Sequence, residues 1–442
     1  MVHSNKAWFA AVALAGVSAL TLVGCSGGGG GTASSSAPAA DYKAHTCADG
    51  TTSADTLKIG TLLPVTGTLA FLGPPEIAGV GLAVNDIVAA GTKACTFETD
   101  SGDSTDLTVS TASAAKLIDA KVSAVIGAAS SSVSQNVVAS ITKTPIVQIS
   151  PANTAATLSG ISPFYFRTAP PDTVQGSALG QQIVKDGNAK VAFLVFNDSY
   201  GTGLRDTIQS TVEAAGGEIT YGAKGKGQEF PPGQTTFSSE VTAAIASKPD
   251  AIVIIAFDET KAIVPELVSQ SWDMSKTYYT DGNTSDYSKV FDKGTLKGAQ
   301  GTIPGVNPNK KFKQQASDWY KATNGKALSD FSYAAESYDA VVLAALAAAK
   351  GGATDPTTIQ KNMHAVSGAA EDGTPLSGAT KCESYADCLK LIKDGKDIQY
   401  QGISSVGPFN AKNDPSSAFI GIYKFDATNV PVFQKSIQGS TN

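Results

Sequence analysis

Leu57-Lys58-Ile59-Gly60-Thr61-Leu62-Leu63, followed by the amphipathic stretch Glu76 to Ala90, decides the fold. The first is a short apolar run of strand length and the second carries apolar residues at helical spacing, so the pair reads as strand then helix. The unit recurs. Cys95 to Thr99 reads as strand and Asp106 to Asp119 as helix. Val122-Ser123-Ala124-Val125-Ile126-Gly127 is a buried strand that stops at small residues, and Ile146-Val147-Gln148-Ile149 is a further strand before Ser150-Pro151. Repeated strand-helix units imply a parallel sheet with helices on both faces, in which ligands sit at loops beyond the strands' carboxyl ends. The loops after Gly127 and Ile149 are therefore candidate sites.

A second series starts after Pro170-Pro171 with a helix from Thr173 to Asp186 and the unbroken apolar strand Val191 to Phe196. Strands Ala251 to Ala256 and Thr277 to Thr280 follow, with helices from Phe237 to Ser247 and Lys261 to Ser269. Two α/β lobes are expected, and 442 residues with 42% hydrophobic content suffice for both. The last third reads as helices at Lys311 to Thr323, Ser332 to Ala349 and Thr357 to Val366, then a closing strand at Phe419 to Lys424. It is too helix-rich for a third doubly wound domain.

At the N-terminus, Lys6 precedes an apolar run from Trp8 to Leu22 that ends in Leu22-Val23-Gly24-Cys25. This is a secretory signal over residues 1–24, too short to span a bilayer permanently. Its last four residues resemble the bacterial lipobox, which implies that Cys25 is acylated and becomes the new first residue, anchoring the exported protein to the outer face of the cell membrane. Residues 25–54, with Gly27 to Gly31, Ser34 to Ser36 and Ala37-Pro38, cannot bury apolar surface and read as a flexible tether. The run Ala340 to Ala349 ends at Lys350 and reads as a packed helix. A net charge of -6, with no basic cluster beyond Lys310-Lys311, argues against nucleic acid as a partner.

Once Cys25 is set aside, Cys47, Cys95, Cys382 and Cys388 form an even set, and an oxidising compartment favours two disulfides. Four cysteines permit three pairings. Cys382 and Cys388 flank only Glu383 to Asp387, so a local clip is the simplest choice and leaves Cys47 with Cys95. Zinc is the alternative, but it favours closer Cys-x-x-Cys knuckles or added histidines, and neither is present. No metal is expected.

Five segments carry a resemblance. They are Ile59-Gly60 through Pro64-Val65-Thr66-Gly67, Val125-Ile126-Gly127 running into Ser130-Ser131-Ser132, Ile149-Ser150-Pro151-Ala152-Asn153-Thr154, Phe166-Arg167-Thr168, and Asn197-Asp198-Ser199-Tyr200-Gly201. In order and spacing the chain resembles the type I periplasmic binding proteins that serve branched-chain amino-acid transporters. The resemblance implies two doubly wound Rossmann-like lobes joined by a hinge, which exchange segments: residues 55–170 plus 302–405 in lobe 1, and 171–301 plus 406–442 in lobe 2. It implies a solute-binding lipoprotein of an ABC transporter that captures a small amino acid between the lobes and delivers it to a permease.

An amino acid presents a carboxylate, which hydroxyls and backbone N–H groups at a helix N-terminus can hold. By resemblance, Ser131, the Ala152 backbone and Thr154 take that carboxylate, with Ser130 beside them; the alternative is that these hydroxyls merely cap helices. The resemblance places an acidic acceptor for the ammonium at Asp281, one methylene shorter than the glutamate of branched-chain binders. It places a covering aromatic at Tyr200. Phe257 and Asp258 are expected to line the same cleft, and Phe71 and Leu72 to add an apolar wall.

Other classes fare less well. Of three histidines, His3 lies in the signal and His45 in the tether, leaving His364 as the one candidate for a Ser-His-Asp arrangement. No nucleophile elbow, phosphate-binding loop or dinucleotide fingerprint is present, so neither an enzyme nor a cofactor is expected. A sensing or adhesion lipoprotein of the same fold stays open, as does a binder of an amide, urea or aromatic acid.

Overall fold

The structure, a computed structural model, describes residues 41–47 and 53–441. The signal peptide, Cys25 and residues 25–40 of the tether lie outside the described residues.

The first half of the chain builds an all-parallel sheet from β1 (Leu57–Leu63), β2 (Ala94–Asp100), β3 (Ala124–Gly127), β4 (Val147–Ser150) and β5 (Tyr165–Arg167), in the order β2-β1-β3-β4-β5. Helices α1 (Gly73–Ala89), α2 (Leu107–Asp119) and α3 (Ser131–Lys143) connect them. β3 is buried along its whole length, as its run of small and β-branched residues requires at the middle of a covered sheet. Local signals set the helix starts: Pro74 and Pro75 open α1, where a missing N–H costs nothing. The Asp106 carboxylate accepts from Thr108 N to cap α2.

The second series gives α4 (Asp172–Lys185), β6 (Lys190–Val195), α5 (Ser199–Ala214), β7 (Glu218–Tyr221), α6 (Ser238–Ala246), β8 (Ala251–Ile255), α7 (Thr260–Ser269), β9 (Thr277–Tyr279) and β10 (Gln300–Pro304). The chain then returns to the first sheet with α8 (Lys310–Asn324), α9 (Ala334–Gly351) and α10 (Pro356–Ser367), and adds β11 (Thr380–Cys382), α11 (Tyr385–Lys393) and β12 (Ile398–Tyr400). α9 is buried from Ala334 to Ala348 and packs with α1, α8 and the first sheet in one core. The Ala-rich run is thus an interior helix, and no helix among the described residues is long and apolar enough to cross a membrane. The closing hairpin, β13 (Ser417–Phe425) and β14 (Pro431–Ser440), joins the second sheet antiparallel, in the order β14-β13-β10-β9-β8-β6-β7. Two sheets, the first all parallel and the second parallel with an antiparallel hairpin at its edge, each with its own core, make the α/β fold of two lobes expected from the sequence.

Several elements differ from the sequence reading. β10 runs to Pro304 in the second sheet, so the return to the first sheet falls at residues 305–309 and not at Thr302. α5 was not legible because Gly201 and Gly203 depress helix propensity. The Asp198 carboxylate nevertheless caps it at Tyr200 N, 2.8 Å away. Gly201 is required there: a Cβ would stand 2.6 Å from Phe196 O. α4 crosses α5 on two glycines, where a Cβ on Gly176 or Gly180 would press into Thr207 or Thr211.

Cys47 is bonded to Cys95 and Cys382 to Cys388. The first pair ties the segment before β1 to β2, and Cys47 N donates to Thr96 O at 2.8 Å.

Candidate ligand-binding cleft

Both loops singled out by strand-helix logic lie at the carboxyl ends of β3 and β4, and a dense polar network fixes them. Ser150 Oγ donates to Ala128 O at 2.7 Å and accepts from the N–H groups of Ala152 and Asn153. The Asn153 amide donates to Ala128 O at 2.7 Å and to Ser134 Oγ at 2.6 Å. Behind them, the fully buried Arg167 guanidinium pairs with Asp414 at 2.7 Å and donates to Ala155 O at 2.9 Å and Ser159 Oγ at 2.7 Å. A buried charge this well partnered holds the loop rigid.

Ser130 stands at the N-cap of α3, yet its hydroxyl makes no capping bond and is buried without a partner. The helix-cap alternative does not describe it. Ser131 Oγ accepts from Ala155 N at 3.2 Å, which joins the two loops and leaves its own proton available. The first-turn N–H groups of α3 have no intrahelical acceptors and present partial positive charge to the same space.

The opposite wall belongs to the second lobe. Asp281 follows β9 and is 7% exposed. Its Oδ1 accepts from Gln175 Nε2 at 2.8 Å and Tyr200 Oη at 2.7 Å, and its Oδ2 from Tyr333 Oη at 2.6 Å. Burial raises its pKa above the usual carboxylate value, and the hydrogen bonds from Tyr333, Tyr200 and Gln175 oppose that rise. Tyr200 lies in the first turn of α5, its ring stacked on Phe257 with centroids 5.8 Å apart. Burial, then the charge of Asp281, pushes both phenols well above their ordinary value, so both remain neutral donors. Asp172, at the start of α4, is fully buried with neither carboxylate oxygen hydrogen-bonded, and burial followed by the charge of Asp281 raises it strongly.

These walls meet. Leu69, Leu72, Ala129, Ser130, Ser131, Ala152, Asn153 and Thr154 from the first lobe face Tyr200, Phe257, Asp281 and Gly282 from the second, with Tyr333 between them. The space left is about 10 Å³, enough for about one water. The lobes are latched beside it, where the Ser132 hydroxyl donates to the Asp198 carboxylate. Among the described residues no lysine or arginine lines the cleft.

A family model described as periplasmic binding protein matches residues 56–381. The chain belongs to the periplasmic binding protein family. It is 31% identical over 167 residues to a leucine-, isoleucine-, valine-, threonine- and alanine-binding protein of Pseudomonas aeruginosa, an alignment that covers 37% of this chain and 45% of that protein. The matched part is thus under half the length of the curated relative. Among solved structures, it is similar to the branched-chain amino acid transporter substrate binding protein LivJ from Streptococcus pneumoniae in complex with isoleucine. The TM-score is 0.68 at 22% identity, over 87% of this chain and 99% of that one. A solute binding protein of an ABC transporter from Rhodopseudomonas palustris, in complex with p-hydroxybenzoic acid, superposes with a TM-score of 0.68 at 16% identity, over 87% and 98%. At these identities the structures show a shared fold.

In this periplasmic binding protein, two expected wall residues do not line the cleft. Asp258 turns to solvent and pairs with Lys261 at 2.8 Å in the first turn of α7; its neighbour Glu259 turns inward and accepts from Phe257 N and Gly233 N. Phe71 packs half-buried against the second lobe's core, and Leu69 takes its place at the cleft. Gln175, Tyr333 and Asp172 were missed because each reaches Asp281 from a distant part of the chain. His364 lies away from the cleft, its Nε2 2.8 Å from Asn413 Oδ1 and its ring against Phe166 and Phe409.

Proposed function

We propose that this protein is the extracytoplasmic solute-binding component of an ABC transporter, capturing a small amino acid between its lobes for delivery to a permease. One observation carries the reading: the helix N-terminus, the unpartnered hydroxyl of Ser130 and the hydroxyl of Ser131, which has a proton left to donate, stand on one wall, and a buried carboxylate, Asp281, on the other. Such a pair of walls is complementary to a zwitterion. Ser131, the Ala152 backbone and Thr154 would hold the carboxylate, Asp281 would accept from the ammonium, and Tyr200, Phe257 and Leu72 would enclose the side chain. The Pseudomonas aeruginosa relative is a binder of leucine, isoleucine, valine, threonine and alanine by name, which supports the same ligand class.

Export and anchoring complete the proposal, with Cys25 carrying the lipid. More than one acyl chain at that terminus gives stable anchoring. Intact-mass measurement of the membrane-bound protein should show a lipid-modified Cys25, and Cys25→Ser should release the protein; an unmodified, membrane-held Cys25 refutes the anchor.

An aromatic acid is the second reading, favoured by the Tyr200 and Phe257 stack and by the p-hydroxybenzoic acid complex of a structural neighbour. It would leave Asp281 facing a ligand with no positive charge. A thermal-shift panel of leucine, isoleucine, valine, threonine, alanine, benzoate and 4-hydroxybenzoate separates the two. Stabilisation by an acid without an amino group, and by none of the amino acids, would overturn the amino-acid reading.

A further inference from the structure

Tyr333 has two faces. One borders the cleft, and the other borders a separate cavity of about 170 Å³ on the hinge side, between the loop after β10, the segment leading into α9, and the β13–β14 hairpin. For comparison, an engineered cavity of roughly 150 Å³ in another protein takes up benzene. Among the described residues three carboxylates, Asp286, Asp330 and Glu336, line this one against a single cation, Lys313.

Glu336 is the informative group. It is 2% exposed, it faces the cavity, and its Oε1 has no hydrogen-bond partner. The backbone makes room for it: Gly305 has a φ of +97°, and a Cβ there would stand 2.0 Å from that oxygen. Lys313 does not neutralise Glu336, because its Nζ donates to Asn307 Oδ1 at 2.5 Å and lies over the Phe331 ring at 5.5 Å. On the other side, Tyr423 and Phe433 meet edge to face at 5.6 Å. An unpaired buried carboxylate is costly, and a cation that can pair with it while lying against aromatic rings offsets that cost. Among the described residues no group of three or more ligating side chains is placed to hold a metal ion, and the cavity has room for a small organic cation.

We propose that this hinge cavity is a second ligand site, separate from the cleft, that binds a small organic cation such as an alkylammonium, with Glu336 as its charge partner and Tyr423 and Phe433 against its alkyl body. Burial holds the Glu336 carboxyl well above its ordinary pKa, so in the absence of a cation it can keep a proton that a bound ammonium would displace.

The probe is butylammonium, with butanol as the neutral control, titrated into the purified protein by calorimetry and thermal shift. Saturable binding of butylammonium, none of butanol, at least tenfold weaker binding in Glu336→Gln, and unchanged binding in Asp281→Asn are the expected results. Ser329→Trp, at the exposed rim of the cavity, should block binding if Glu336→Gln folds poorly. Absence of saturable binding, or equal binding in the parent, Glu336→Gln and Ser329→Trp, overturns the proposal. Binding lost in Asp281→Asn but kept in Glu336→Gln places the amine in the cleft, which also overturns it while leaving the amino-acid reading intact.

Discussion

Replacing Asp281 by Asn separates the role of this carboxylate in binding from its role in stability. Asn keeps the shape and one acceptor oxygen but removes the charge that an ammonium would meet in a buried site. Truncating one partner of such a pair costs about 2 to 5 kcal/mol. At 1.36 kcal/mol per decade that is roughly 30-fold to several-thousand-fold in Kd. Thr154→Ala, which leaves the Ser131 hydroxyl and the α3 N–H groups in place, should cost nearer 1 to 2 kcal/mol. Stability should move the other way. Because the Asp281 pKa is raised in the folded state, the folded protein binds the proton more tightly than the unfolded chain. Stability from this group is therefore present below the unfolded value and lost as pH rises through the folded one. The variant should gain on the parent between pH 4 and pH 7. Calorimetry with the amino acid selected by the thermal-shift panel, together with urea denaturation of the unliganded proteins at both pH values, tests both halves. Parent-like affinity in Asp281→Asn would refute the assignment of the ammonium, and a stability difference independent of pH would refute the electrostatic account.

Three further outcomes follow from named contacts. Ser132→Ala removes the donor to Asp198 across the lobes and should weaken binding by about 1 to 3 kcal/mol, mainly through faster release; an unchanged off-rate in stopped flow would show that this latch does not hold the closed form. Proton uptake or release should accompany ligand binding at pH 5, because an ammonium beside Asp281 lowers the raised pKa, and calorimetry in buffers of different ionisation enthalpy should show release. Replacing Cys47 and Cys95 by Ala should cost more than replacing Cys382 and Cys388: sequence separations of 48 and 6 give about 4 and about 2 kcal/mol by chain entropy, and equal losses in urea denaturation would contradict that ordering.

The fold was legible where burial is continuous. Val191 to Phe196 and Ala251 to Ala256 are unbroken apolar runs because strands covered on both faces need no polar alternation, and β6 and β8 lie there. The 3.6-residue pattern likewise located α2 and α8. α5 was lost because Gly201 and Gly203 depress helix propensity; Gly201 is kept for its close approach to Phe196 O, while a Cβ on Gly203 would meet nothing. The pair Gly176 and Gly180, four apart on α4, was an available signal that another helix crosses there. Hydroxyls at the ends of β3 and β4 were legible from topology alone, since open parallel sheets place ligands beyond strand carboxyl ends. Partners of Asp281 were not. Gln175 lies 106 residues before it and Tyr333 lies 52 after it, and only tertiary structure brings a helix start, a strand end and a left-handed residue at an N-cap to one carboxylate.

The same assembly explains why closure should depend on ligand. Ser130 Oγ borders the cleft and is buried without a hydrogen-bond partner. In parted lobes the cleft is open to water, which can solvate the polar groups that closure would strand. A buried polar group left unsatisfied costs about 1 to 3 kcal/mol, so at about 2 kcal/mol this hydroxyl disfavours closure by roughly 30-fold. The latch between Ser132 and Asp198 acts in the opposite direction. A zwitterion enters this balance with three N–H donors and two carboxylate acceptors, which suit the acceptors near Asp281 and the donors at α3. The ligand can shift the lobes toward closure only through contacts that the open form lacks, and the Ser130 hydroxyl and Asp281, on facing walls, are where such contacts are to be made.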